Sequence, residues 1–186
     1  RGEDRIAWFE NLGDMEFKEH AIGTIGRHAN GFNMDYADMN GDGRLDIVSL
    51  TRRGAAWFQQ PEFIDEGWIG HPIGSLHPDS LVGVTLVDID GDGDQDLFAG
   101  GYSQGSRLDE SLTPIDSPLG RLAWFENPGA DSQPGKDWTR HDVSRRKRGM
   151  FDQFIARDLD SDGDMDLLST RGNSAPYDGV FWLEQV

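Results

Sequence analysis

Aspartates are concentrated in three short loops, at a spacing that suits the coordination of a metal ion. The loops cover residues 38–46, 88–96 and 158–166, and each carries oxygen-bearing side chains at positions 1, 3, 5 and 9. Calcium takes about six to eight oxygen ligands in a flexible geometry, so a tight loop with alternating carboxylates can surround it. Magnesium demands a stricter octahedron and keeps more water, so the pattern favours calcium.

Position 7 of the loops varies between Arg44, Asp94 and Asp164. This variation is expected if the residue there contributes its backbone carbonyl oxygen while its side chain points outwards. Glycines at positions 4 and 6 permit the sharp turn of such a loop. The predicted ligand residues are Asp38, Asn40, Asp42, Arg44, Asp46, Asp88, Asp90, Asp92, Asp94, Asp96, Asp158, Asp160, Asp162, Asp164 and Asp166, which would hold about three calcium ions per chain, one in each loop.

Two other readings of the loops fit the sequence less well. An EF-hand carries Glu at position 12 and a helix on each side, whereas position 12 is Ser49, Ala99 or Ser169 and apolar strand-like residues follow position 9. A dockerin loop also needs a helix after it. Acidic turns without metal would place up to five carboxylates within nine residues, and these would repel one another strongly.

The composition excludes several classes of function. The net charge of −17 disfavours binding to nucleic acids or anionic membranes. The chain has no Cys, which rules out a disulfide framework and a thiolate zinc site. It contains no apolar run long enough to span a membrane, and no signal peptide is visible.

The elements that position the loops recur in a fixed order, as they do in repeat proteins. An alternating strand precedes each loop and an apolar strand follows it, in copies that run from Phe32 to Leu50, from Val82 to Ala99 and from Phe151 to Thr170. A Trp-containing strand and a His-containing strand come next. The first Asp of the loops falls at residues 38, 88 and 158, and the longer second interval is explained by Gly-, Ser- and Pro-rich insertions at 101–120 and 129–137. A period near 50 residues with four short strands predicts the blades of an all-β propeller.

The pattern from Phe32 through the first loop to Ile47 and Val48, followed by an aromatic strand, resembles the FG-GAP/VCBS repeat. This family includes the integrin α-subunit propeller, lectins, and propellers attached to polysaccharide lyases and dehydratases. The resemblance implies blades of four strands, A to D from the central channel outwards, with the calcium loop between A and B. It also implies that the metal carboxylates are structural rather than catalytic.

On this reading the chain begins and ends within a blade. Residues 1–24 would form strands C and D of a split blade, 25–73 a blade, 74–143 a blade with insertions, and 144–186 strands A, B and C of the last blade. About three blades cannot close a ring, since propellers have about four to eight. We therefore expect self-association into a ring, or a larger propeller of which this chain is a part.

The recurring aromatic and His residues are assigned to the architecture. The Trp residues of the C strands are expected to pack between blades, and His20, His71 and His141 are expected to make structural hydrogen bonds. The D–A and B–C loops would share the face opposite the metals, which is basic against an acidic background because of residues such as Arg145–Arg148. Speculative ligand contacts on that face are His28, Arg52, His77, Asp79, Tyr102, Arg171 and Tyr177.

These observations favour a calcium-binding, extracellular, periplasmic or cell-surface module for recognition or scaffolding. Its partners would be glycans or proteins, and no catalytic constellation is visible. The alternative is part of a carbohydrate-active enzyme of the polysaccharide lyase or sugar dehydratase type built on the same propeller, with His28, His77, Arg52, Arg171 and Tyr177 as candidates for acid–base catalysis and carboxylate binding.

Overall fold

The computed structural model describes residues 5–24, 33–51, 53–77, 79–102, 122–129, 138–144, 150–172 and 179–186. These residues form strands and turns, with no helix among them, and therefore no helix that could cross a membrane. The strands are β1 (Arg5–Gly13), β2 (Glu16–Thr24), β3 (Met34–Ala37), β4 (Asp46–Thr51), β5 (Gly54–Gln59), β6 (Ile69–Gly74), β7 (Ser80–Val87), β8 (Asp96–Tyr102), β9 (Leu122–Glu126), β10 (Thr139–Ser144), β11 (Met150–Arg157), β12 (Asp166–Gly172) and β13 (Gly179–Leu183).

Antiparallel pairing follows chain order, as in propeller blades. β1 and β2 form a hairpin, and β3, β4, β5 and β6 form a four-stranded sheet. β7–β10 and β11–β13 also pair in sequence, and the two groups are joined within the described residues by pairing of Met150 with Tyr102. The predicted fold class, an all-β partial propeller, is confirmed; the domain boundaries stay a prediction.

The three strands that precede the acidic loops lie close to where the alternating pattern placed them. β7 begins at Ser80 rather than Val82, and β11 begins at Met150 rather than Phe151. In β3 the described strand begins at Met34, and the predicted start at Phe32 lies outside the described residues. Pairing with the following strand extends β7 and β11, since Ser80 faces Tyr102 and Met150 faces Gly172.

The core lies between neighbouring sheets, and glycines allow the close contact. A side chain at Gly74 in β6 would place its Cβ 2.4 Å from the Phe125 ring of β9, and one at Gly23 in β2 would lie 2.6 Å from the Phe58 ring of β5. Each Phe is buried as a result. Because burial of a large aromatic ring contributes strongly to stability, this repeated contact fixes the distance between adjacent blades.

A Trp in the third strand of each blade contacts the neighbouring core, as predicted for architectural residues. Trp57 packs against the cluster that contains Val48 and Leu97, and Trp124 against the cluster that contains Phe151. Trp182, in β13, differs because 47% of its surface is exposed.

Candidate metal centres

A buried aspartate at position 9 anchors each acidic loop. Asp46, Asp96 and Asp166 are at most 1% exposed. In each, Oδ2 accepts a hydrogen bond of 3.0 Å from the backbone N–H of position 2, which belongs to Met39, Ile89 or Leu159. The other oxygen accepts from the backbone N–H of Gln60, Asn127 or Gln185, at 2.8, 2.8 and 3.1 Å. One carboxylate therefore joins the loop to the segment that follows the third strand of the blade.

The aspartate at position 1 organises the turn itself. Asp88 accepts backbone N–H bonds from Gly91 at 2.8 Å and from Gly93 at 3.1 Å. Asp38 accepts comparable bonds from Asp42 at 3.0 Å and from Gly43 at 2.7 Å. Both carboxylates are thereby held inside their loops.

The turn requires left-handed backbone at positions 4 and 6, as the glycines predicted. Gly91 and Gly93 have φ angles of 75° and 99°. In the third loop, position 4 is Ser161, whose φ of 68° is unusual for a residue with a Cβ. The loop conformation is thus retained even where its sequence departs from glycine.

Carboxylate oxygens converge in the second and third loops. One oxygen each from Asp88, Asp90 and Asp96 lie within 4.8 Å of one another, and the same holds for Asp158, Asp160 and Asp162. The first loop offers fewer carboxylates, because position 3 is Asn40.

Position 7 does not direct its side chain away from the loop, which differs from the expectation for a residue that contributes only its carbonyl. The Arg44 guanidinium contacts Oδ2 of Asp42, and its Nε donates to the carbonyl of Gln60 at 3.1 Å. The side chain of Asp94 approaches the corresponding segment of its own blade, since a Cβ at Gly129 would lie 3.2 Å from Asp94 Oδ2. The physical reason is that this segment, anchored by position 9, lies within reach of position 7.

The second loop carries strongly perturbed carboxyl groups. Burial, followed by the charges of Asp92, Asp90 and Asp88, raises the pKa of Asp94 to about 6. Burial also raises the pKa of Asp96 to about 6, although the backbone N–H groups of Asn127 and Ile89 partly oppose the shift. A cation at this position would offset the burial and the repulsion together.

The other two loops show mixed effects. Burial opposes ionisation of Asp38, but N–H donation, first from Gly43 and then from Asp42, outweighs it and lowers the pKa. In the third loop, burial and then the charge of Asp162 raise the pKa of Asp160 and Asp164. Backbone N–H donation therefore stabilises the leading carboxylate of the first loop as an anion.

The residues of the second and third loops fit a hard divalent cation. Beyond the converging carboxylates, the Oδ1 atoms of Asp94 and Asp164 are buried without a hydrogen-bond partner among the described residues. Buried polar atoms normally have a partner, so these two oxygens mark places where a cation or its water would complete the bonding. When bound, calcium would supply positive charge and additional oxygen coordination at each loop.

The repeated anchor, loop and strand order agree with a comparison to known families. The profile of the FG-GAP-like repeat matches residues 1–49 and 88–169, more than half of the chain. The chain belongs to the FG-GAP repeat family. A search of curated proteins finds no match.

Three residues predicted for the second face of this FG-GAP chain lie near one another. Asp79 directly precedes β7, Tyr102 ends β8 and Arg171 lies in β12, where Ser80 pairs with Tyr102 and Phe151 pairs with Arg171. Arg171 was predicted to lie on a loop, yet it is 6% exposed and its guanidinium carbon lies 5.9 Å from the centre of the Phe151 ring. The strand extends this far because Arg171 also pairs with Gly179 of β13.

Of the remaining predicted contacts of this face, only His77 belongs to the described residues. His77 is exposed, two residues before Asp79. His28, Arg52 and Tyr177 lie outside the described residues, as do Arg145–Arg148 and most of the two predicted insertions.

Asp152 is a further member of this group. It lies in β11 beside Phe151, its Oδ1 is buried without a hydrogen-bond partner among the described residues, and burial raises its pKa.

Proposed function

We propose that this FG-GAP chain is a calcium-stabilised, non-catalytic module that presents loops for recognition outside the cell. The convergence of carboxylate oxygens in the second and third loops is the observation that supports it most strongly. Calcium bound there would strengthen the connection between strands A and B and the end of strand C, through the buried position-9 aspartates. The metal would thus act on stability, and through stability on the presentation of the loops.

The opposite end of the blades supports a recognition role. The buried Asp79 and Arg171 and the half-buried Tyr102 bring an acid, a guanidinium and a phenol to neighbouring strand ends. These groups are suited to hydroxyl- and carboxylate-bearing ligands, so a glycan or a protein side chain is the proposed class of partner. Placement of the metals at the A–B loops, away from these strand ends, favours a structural rather than a catalytic role for calcium.

The decisive experiment combines native mass spectrometry with thermal unfolding, in calcium, in magnesium and after chelation. We expect calcium to bind with a stoichiometry of up to one ion per loop and to raise the melting temperature more than magnesium does. A ligand at about 100 times its Kd stabilises a fold by about 2.7 kcal/mol per site, which is readily measured. Absence of bound calcium, or an equal effect of magnesium, would contradict the proposal.

A glycan-binding screen then tests the recognition role independently of the metal. Arg171 is buried, so its replacement would disturb packing, and the exposed His77 is the better first variant. We expect His77→Ala to weaken ligand binding without changing the calcium-dependent rise in melting temperature. Product formation from an acidic polysaccharide would instead favour the enzyme alternative.

A further inference from the structure

A side chain from the blade that contains β11–β13 reaches the second acidic loop. The backbone N–H of Gln185 donates to Asp166, the buried anchor of the third loop, at 3.1 Å. Its side-chain Nε2 donates to the carbonyl oxygen of Ile89 at 2.9 Å, although Ile89 lies 96 residues earlier in the chain. Because Ile89 is position 2 of the second loop, Gln185 is bonded to two acidic loops at once.

The backbone of Ile89 is held by hydrogen bonds on both sides. Its N–H donates to Oδ2 of Asp96 at 3.0 Å, and its carbonyl accepts the bond from Gln185. That carbonyl belongs to the peptide bond that leads into Asp90, whose carboxylate converges with those of Asp88 and Asp96. The bond from Gln185 therefore restricts the backbone from which a candidate metal ligand extends.

These contacts form a continuous path between the third and second loops. The path is Leu159, Asp166, Gln185, Ile89 and Asp96, with hydrogen bonds of 3.0, 3.1, 2.9 and 3.0 Å. Both aspartates of the path are at most 1% exposed. Hydrogen bonds are electrostatically stronger in such a buried environment than in water, so the path resists exchange with solvent.

Apolar packing supports the same connection. Ile89 and Leu183, which lies two residues before Gln185, both pack against the core cluster that contains Phe151. A change in the segment after β13 would therefore reach the second loop through packed side chains as well as through the hydrogen bond. Contiguous networks of packed and hydrogen-bonded groups of this kind can carry energetic coupling between sites.

The equivalent residue of the preceding blade directs its side chain to its own loop. Asn127 donates its backbone N–H to Asp96, as Gln185 does to Asp166. The side chain of Asn127 is one methylene shorter, and its Nδ2 donates to the carbonyl of Gln95, position 8 of the same loop, at 3.1 Å. The chain thus offers a matched pair, in which one side chain connects two loops and the other stays within one.

We propose that Gln185 is a positioning residue that couples the second and third loops, so that calcium bound in either loop raises the affinity of the other. The proposal rests on the calcium binding proposed above. An ion in the third loop restrains Asp166 and the segment that it anchors, and with that segment the bond from Gln185 to Ile89. The second loop then loses less conformational freedom when it binds its own ion, which gives positive cooperativity.

The test is a calcium titration of the full chain by NMR, with the amides of Gly93 and Gly163 as reporters of the second and third loops. The third loop is disabled by Asp160→Asn with Asp162→Asn, which keeps the side-chain oxygens that accept N–H groups of the turn. We expect the calcium affinity of the second loop to fall about fivefold in this double variant.

Two further measurements check the direction and the route of the coupling. Disabling the second loop by Asp90→Asn with Asp92→Asn should lower the affinity of the third loop by the same factor, because coupling between binding sites is reciprocal. Disabling the first loop by Asp42→Asn should change the affinity of the second loop by less than about twofold, since Asn127 bonds within its own loop.

Variants of Gln185 separate coupling from general loss of structure. Gln185→Ala removes the bond to Ile89 but keeps the backbone N–H that bonds to Asp166. We expect each of the two loops then to bind calcium with the affinity that it has when the other loop is disabled. Gln185→Asn should behave in the same way, because its amide is one methylene shorter, as in Asn127. Combining Gln185→Ala with the disabled third loop should lower the affinity of the second loop no further.

The outcomes distinguish this inference from the proposed function on which it rests. Wild-type cooperativity in Gln185→Ala, additive effects of the combined variants, or an equal effect of disabling the first loop would overturn the coupling and leave calcium binding intact. Independent binding by the second and third loops of the wild type would do the same. Absence of calcium from both loops would overturn the coupling and the proposed function together.

Discussion

The first and second acidic loops share one backbone conformation but differ in how the charge of their carboxylates is balanced. Both have a buried position-9 aspartate with two backbone N–H donors, and both have left-handed glycines at positions 4 and 6. The first loop contains three aspartates and one arginine, whereas the second contains five aspartates. The frame therefore does not depend on how many carboxylates the loop carries.

The residue at position 7 changes how strongly the loop needs a cation without changing the backbone conformation of the loop. Arg44 contacts Asp42 and the carbonyl of Gln60, so its guanidinium neutralises part of the negative charge of the first loop. Asp94 instead adds a carboxylate with a buried oxygen that has no hydrogen-bond partner among the described residues, and its pKa is raised to about 6 by burial and by its acidic neighbours. We expect the second loop to need calcium more than the first.

The largest expected effect comes from breaking what the two loops share. Asp46→Ala and Asp96→Ala each leave two buried backbone N–H groups without their acceptor, which should lower the free energy of unfolding by about 2–5 kcal/mol. Urea denaturation of metal-free protein measures this loss, and we expect it to be similar for the two variants. The exposed Asp65→Ala is the matched control, expected within about 0.5 kcal/mol of wild type. A loss confined to one of the two loops would refute a common anchor.

Exchanging the residues at position 7 should exchange the calcium dependence of the loops. Arg44→Asp removes the internal cation and adds a carboxylate, so we expect about tenfold tighter calcium binding at the first loop and lower metal-free stability. Asp94→Arg should have the opposite effect at the second loop. Site-resolved calcium titration by NMR of the loop amides distinguishes the two.

A neutral variant identifies which part of the exchange matters. Arg44→Gln removes the positive charge without adding a ligand, so its affinity should lie between those of wild type and Arg44→Asp. If neither Arg44 variant alters calcium binding, position 7 acts through its backbone alone, as the sequence pattern had suggested.

The sequence predicted the strands and loops well because both have a local physical cause. A short apolar run forms a buried strand, as in β8, and the glycines of the loops permit the φ angles that the turn requires. The anchor at position 9 was recognised as a ligand candidate. Its donor from outside the loop was not predicted, because Gln60 lies 14 residues from Asp46 and Asn127 lies 31 residues from Asp96, and each approaches its aspartate only in the fold.

The contacts of position 7 and of Arg171 could not be predicted from the sequence for a similar reason. The direction of the Arg44 side chain depends on where the end of β5 lies. The residue pattern of the acidic loop does not contain the position of that strand. Arg171 was assigned to a loop because the predicted strand ended at Thr170, yet pairing with both β11 and β13 keeps it in a strand. The metal ligands themselves stay a prediction that calcium titration must test.

The smallest expected effect is a difference in pH dependence between the two loops. In metal-free protein the raised pKa of Asp94 means that its ionisation opposes folding, so its contribution to stability is greatest below about pH 4 and is lost as pH rises through about 6. The lowered pKa of Asp38 has the opposite sign, because its contribution is present above about pH 4 and is lost as pH falls below that value.

Urea titrations of metal-free Asp94→Asn and Asp38→Asn across this range measure the two slopes, and each difference from wild type should be below about 1 kcal/mol because both groups are only partly buried and solvent screens their charges. Calcium should favour the ionised form of Asp94, so binding near pH 5.5 should release protons from the second loop and far fewer from the first. Calorimetry in buffers of different ionisation enthalpy detects that release. If Asp94→Asn releases as many protons as the wild type, the carboxyl group of Asp94 does not respond to calcium. Arg44 alone would then account for the difference between the two loops.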